Sequence, residues 1–211
     1  MSTTGILLLN TGTPSSCAPH DVKRYLTEFL MDGRVPDMPF WIRELLVKWV
    51  IVPFRYKKSA RAYAKIWTNY GSPLMHHSKE LTAKLAEALD VKVALGLSYA
   101  APSIQDALEE LRGCINIIVV PLFPQYASAT SGSVIQEVMR CISTWPQIPE
   151  LSILGPFSNH ERFLDAWYQQ AKEIDFDSYD HILFSFHGLP LAHVKKQDRA
   201  GCCLKRNCCN S

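Results

Sequence analysis

Apolar residues follow two alternating rhythms along this chain. Short continuous runs recur: GILLLN (5–10), VKVALGLSY (91–99), INIIVVPLF (115–123), LSILG (151–155) and HILFSF (181–186). A compact apolar run closed by turn residues predicts a strand buried on both faces. Between these runs the apolar positions space out to the helical period. Val22, Tyr25, Leu26, Phe29 and Leu30 share one face of a helix over 21–31. SKELTAKLAEALD (78–90) and SGSVIQEVMRCIS (131–143) predict two more helices. Residues 159–173 predict another, with Phe163, Leu164, Trp167 and Ala171 on one side. Ser103, with Asp106 three positions on, predicts a capped helix start at SIQDALEELR.

Strand and helix alternate throughout. That order predicts an α/β fold, a parallel sheet with helices on both faces. Ligands of such sheets bind beyond the carboxyl ends of the strands. Here those ends read NTGTP, SYAAPS, PLFPQYASATSG and HGLP, all rich in Gly, Pro, Ser or Thr. One stretch interrupts the rhythm. Within 36–58, Trp41, Ile42, Leu45, Leu46, Trp49 and Val50 fall at amphipathic helical spacing, with Arg43, Lys48, Arg55, Lys57 and Lys58 beside them. Two readings stand: a helix packed on the core, or an exposed apolar lip at a pocket mouth or membrane surface.

Composition narrows the function classes. Nearly half of the 211 residues are apolar (47%), enough for a packed core. Twenty-two basic residues against 20 acidic ones leave a net charge of +2 and no basic field for nucleic acid. No run reaches the roughly 18 apolar residues of a membrane span, and the start lacks a basic, apolar leader. The expected location is the cytoplasm, with peripheral contact at the inner membrane.

Candidate chemistry sits mainly near the end. His187 follows the last apolar run, and Gly188 permits a tight exit. An imidazole there can take a proton or bind a metal near neutral pH, or serve as a hydrogen-bonded core residue. His76 and His77 precede the predicted helix at 78–90 and read as a solvated helix start. His20, His160, His181 and His193 lack partners at metal-ligand spacing. No Gly-rich phosphate loop and no nucleophile elbow is present. Cys17, Cys114 and Cys141 are scattered, whereas Cys202, Cys203, Cys208 and Cys209 cluster, which in a reducing compartment points to metal.

Taken together, LLLNTGTP, VKRYLTEFLMDGRV, GSPLM, ALGLSYAAPSI, PLFPQYASATSG and LFSFHGLP resemble the ferrochelatases, which insert ferrous iron into a porphyrin to make haem. The resemblance implies two Rossmann-like halves, 1–157 and the start of a second at 158–211, incomplete here. It implies that His187 is the active-site histidine facing the macrocycle, as proton acceptor or ligand of the Fe2+ substrate. Thr11 falls on the other side of the ring, Ser72 and Tyr99 near the substrate, and 36–54 at the lip of the cleft and a peripheral membrane contact. Many members follow the histidine with Gly-Asp-x-Tyr; this chain keeps only Asp198 of that element. Some bacterial members carry there a cysteine-rich insert holding a [2Fe–2S] cluster. By that resemblance Cys203, Cys208 and Cys209, with Cys202, would supply part of the set; the alternatives are zinc or no metal. The acidic residue opposite the histidine belongs to the part of the family pattern beyond Ser211, so turnover by these residues alone is expected to be weak. Protoporphyrin IX is the expected substrate. The alternatives are a coproporphyrin III or cobalt chelatase of the same fold, or a non-catalytic porphyrin- or iron–sulfur-binding fragment.

Overall fold

The computed structural model describes residues 3–198 and 200–205. It divides into two compact units, Met1–Gly155 and Pro156–Ser211, treated separately below.

The first unit is built on four parallel strands: β1 (Thr4–Asn10), β2 (Lys92–Leu97), β3 (Asn116–Pro121) and β4 (Glu150–Ile153), in the order β2-β1-β3-β4. Leu7 lies opposite both Ala94 and Val119, and Val119 opposite Ile153. The period of two then sorts side chains between faces. Leu7 and Leu9 join Ile117 and Val119 under Ile104, Ala107 and Leu108 of helix α5 (Ile104–Glu110) and Val134 and Val138 of helix α6 (Ser133–Ile142). Ile6, Leu8, Leu95 and Leu97 face the other way, against Met75 and Leu85 of helix α4 (Pro73–Leu89). Both faces are covered, which is why the strands read as unbroken apolar runs. Ser103 caps α5 as its sequence predicts: its Oγ accepts the Asp106 N–H at 3.1 Å, and its own N–H donates to the Asp106 carboxylate at 3.0 Å.

The chain runs from β1 to one side of the sheet and returns past it to the other. In such a sheet a crevice is expected beyond the ends of β1 and β3, where the winding reverses; the cleft found here is lined instead from the ends of β1 and β2. Helices α1 (Pro19–Met31), α2 (Phe40–Leu45) and α3 (Val52–Ile66) come between β1 and α4. A π-helical turn, Leu46–Ile51, joins α2 to α3, so the amphipathic stretch runs well beyond its expected end to Ile66. Its outward side carries Trp41, Leu45 and Trp49, the last 74% exposed, and the residues it buries are Val47, Val52 and Ala60. The helix expected over 78–90 begins at Pro73, with Ser72 at its N-cap. His76 and His77 therefore lie inside its first turns, not ahead of it. Proline suits that first position because its missing N–H would have no helical partner there.

The second unit departs further from expectation. Helix α7 (Glu161–Ala171) forms as predicted but buries no residue. A short 3-10 turn, Phe176–Ser178, and an unforeseen helix α8 (Leu191–Gln197) follow. The predicted strand at 181–186 does not form: the segment is irregular and exposed, Leu183 at 91%. A strand exists only through the ladder it shares with a neighbour, and no other strand lies among the described residues of this unit.

Candidate active-site cleft

Three loops leave the carboxyl ends of β1 and β2 and the start of α4. The first two are tied by backbone bonds: Ser98 N–H donates to Asn10 at 3.1 Å, and Tyr99 N–H to Thr11, also at 3.1 Å. Gly12, at φ +92°, turns the first loop, and a Cβ there would lie 2.8 Å from that of Ala100. Between the loops and α1 opens a cleft of about 640 Å³, within the range of small-molecule sites. Tyr25, Trp67, Ser72, Met75 and Tyr99 line it, with Arg24 among its polar residues.

Tyr25, Tyr99 and Trp67 of its lining belong to an aromatic array. Tyr25 stacks parallel to Phe29 at 6.2 Å and meets Tyr63 and Tyr99 edge-on, while Phe29 meets Tyr99 edge-on at 5.4 Å. Tyr63 continues the array to Trp67. Burial raises the phenol pKa of Tyr25, Tyr63 and Tyr99 above the ordinary tyrosine value. For Tyr99 the hydrogen bond to Asp32 adds to the rise. These phenols stay neutral donors at any physiological pH.

Behind the array lies a second polar centre. Tyr99 Oη donates to Asp32 Oδ2 at 2.6 Å, Ser133 Oγ donates to the same oxygen, and Arg34 N–H donates to Asp32 Oδ1 at 2.7 Å. Asp32 thus pins β2's exit loop to the end of α1 and the start of α6. At the open side, Arg24 Nη2 donates to Ser15 Oγ at 2.9 Å and lies 3.5 Å from Asp21. The Ser16 hydroxyl, donating to Asp21 at 2.6 Å, holds that carboxyl below its usual range.

The structure brings Ser72 and Tyr99 together as lining of one cleft, with Thr11 bonded through its carbonyl to Tyr99. His187 belongs to the second unit, where its side chain is exposed at the end of the irregular segment. Cys202 and Cys203 follow in the same unit, and Cys203 N–H donates to Asp198 Oδ2 at 2.7 Å. One donor atom from each of Asp198, Cys202 and Cys203 lies within 4.8 Å of the others. A [2Fe–2S] cluster takes four ligands, normally thiolates; the described residues bring two thiols and a carboxylate. Cys208 and Cys209 lie outside the described residues. Tyr63, Trp67, Asp32 and Ser133 are not among the residues that the sequence pattern singles out. Tyr25 appeared only as a core-face residue of its helix. Nothing in local spacing marks them, because the contacts that matter span up to 101 positions.

Fold and site together define a parallel α/β protein with a large aromatic cleft at the carboxyl edge of its sheet. The sequence matches the family described as Ferrochelatase over residues 3–208. It is 44% identical over 200 residues to a ferrochelatase of Legionella pneumophila (strain Corby), covering 94% of this chain and 59% of that protein. It is 38% identical over 216 residues to one of Pseudomonas fluorescens, covering 100% and 63%, and 37% identical over 198 residues to one of Photobacterium profundum, covering 92% and 62%. The chain belongs to the ferrochelatase family. It spans about three fifths of the length of these curated relatives, 59–63%.

Proposed function

We propose that the protein inserts ferrous iron into protoporphyrin IX. The observation that carries this reading is the aromatic cleft of about 640 Å³ in a chain of the ferrochelatase family. A porphyrin is a flat, apolar ring with acidic arms. Tyr25, Trp67 and Tyr99 offer it ring faces and edges, and Ser72 and Arg24 offer a hydroxyl and a guanidinium for the arms. Thr11 adjoins this ring-binding face.

Insertion requires two pyrrole protons to leave and the hydrated iron to shed water. His187 is assigned the central role, as proton acceptor or as ligand of the incoming iron, because an imidazole nitrogen can do either. Clamping the ring in a bent shape, at a cost of about 1–5 kcal/mol drawn from contacts at its edges, exposes the nitrogen lone pairs. No step is routed through the cysteines. A cluster or zinc held by Cys202, Cys203, Cys208 and Cys209 would be structural, and an absorbance spectrum of the purified protein tests for the cluster.

The test is porphyrin binding read by fluorescence quenching, followed by metal insertion read by the haem absorbance. In the complete enzyme, His187→Ala should abolish insertion and leave porphyrin affinity within about twofold. Normal turnover in that variant would refute the assignment. Competition among protoporphyrin, coproporphyrin, Fe2+ and Co2+ in the same assay decides the substrate.

The second part of the proposal is a peripheral membrane contact through 36–54. Trp41 and Trp49 are exposed at 69% and 74%, and Phe54 at 82%, with Lys48, Arg55, Lys57 and Lys58 close in sequence. Aromatic and basic side chains side by side suit an anionic lipid interface. Binding to anionic vesicles should fall at least about tenfold on Trp41→Ser/Trp49→Ser; equal binding by both proteins would remove the proposal.

A further inference from the structure

The geometry points to a divalent-metal site on the first turns of α4, formed by His76, His77 and Glu80 and taking a borderline-soft first-row cation such as Zn2+ or Fe2+. One donor atom from each residue lies within 4.8 Å of the other two. The Glu80 Oε2 atom stands 3.5 Å from His76 Nε2 and 3.2 Å from His77 Nδ1. In a tetrahedral site with bonds of about 2.0–2.1 Å, donor atoms lie about 3.3–3.4 Å apart. Both separations fall close to that edge. Two imidazoles and one carboxylate are also the donor set of hydrolytic zinc sites, which leave a fourth position to water.

The arrangement follows from the helix. Residues 76 and 80 are one turn apart and 77 and 80 slightly less, so both imidazoles reach the same carboxylate from the N-terminal side. His76 reaches with its far nitrogen and His77 with its near one. That difference lets adjacent residues converge on one point. The His76 ring is held from behind by Tyr70, stacked at 5.1 Å and 19°. Tyr70 in turn sits in a tight turn closed by paired backbone bonds between Thr68 and Gly71, at 2.9 and 3.0 Å. Lys84 approaches the other oxygen of Glu80, at 4.0 Å, and leaves Oε2 to the imidazoles.

Without a cation the two imidazoles meet Glu80 in exposed polar contacts, which by themselves contribute little. The site adjoins the cleft, since Tyr70, Ser72 and Met75 line it. It does not depend on the porphyrin reading and would stand if that reading failed.

The test is calorimetric titration of Zn2+ into the full chain, compared with His76→Ala/His77→Ala, His77→Ala, Glu80→Gln, His187→Ala and Cys202→Ser/Cys203→Ser. The site predicts one Zn2+ equivalent that disappears in the double histidine variant. His187→Ala and the cysteine variant should retain it. His77 is 73% exposed, so its single truncation spares the fold; it should weaken that equivalent at least about tenfold. Zn2+ isotherms of His77→Ala and of the double variant that overlay the wild type would overturn the inference.

Discussion

Tyr99→Phe removes one oxygen from the polar centre around Asp32. That hydroxyl donates at 2.6 Å to the Asp32 carboxylate in a residue only 9% exposed. Hydrogen bonds to a charged partner contribute about 1.5–3 kcal/mol. Asp32 keeps two donors, the Ser133 hydroxyl and the Arg34 N–H. An open recess beside Glu28 and Gln136 also reaches it, so water can replace part of the loss. The expected cost is therefore at the low end, about 1.5–2 kcal/mol. For a unit of this size that lowers the melting temperature by about 3–8 °C. Because Tyr99 and Ser133 share one acceptor, Tyr99→Phe and Ser133→Ala should not add, and a double-mutant cycle by urea unfolding should return at least about 0.5 kcal/mol of coupling. A Tyr99→Phe protein that melts within about 1 °C of wild type, with additive double-mutant energies, would show that the triad does not hold the cleft together.

Other outcomes follow from the same geometry. Gly12→Ala should cost at least about 2 kcal/mol, since a left-handed backbone and a 2.8 Å clash coincide there; Gly113→Ala, with open space around its position, should be neutral or slightly stabilising, and equal unfolding midpoints for the two would contradict this. Ser103→Ala removes the cap of α5 and should destabilise by about 1 kcal/mol, read by chemical denaturation. Tyr25 and Tyr99 have folded pKa values above the unfolded value near 10, so above that pH the unfolded chain releases phenolic protons that the native state retains. Their contribution is fully present below about pH 10 and is lost as pH rises through the higher folded values. A melting temperature that holds steady from pH 9 to 11.5 would count against that burial.

The sequence by itself determined the sheet. GILLLN and INIIVV are its two central strands and VKVALG flanks them, with helices over both faces, so their burial is written as apolar runs. It also determined the cap of α5, where Ser103 and Asp106 are three residues apart and the interaction is wholly local. Family motifs were legible for the same reason, as short contiguous words. What spacing did not carry was anything made by distant partners. HILFSF has the composition of a strand, but a ladder needs a neighbour, and the segment stays irregular. Asp32, Tyr99 and Ser133 look ordinary in sequence and meet only because the ends of α1, β2 and α6 converge at one edge of the sheet. His76 and His77 were visible but were placed ahead of a helix. Only the start of α4 at Pro73 turns them toward Glu80. Local propensity and burial are properties of a segment and leave their mark in it, whereas a site is a property of the distances between segments, which folding alone fixes.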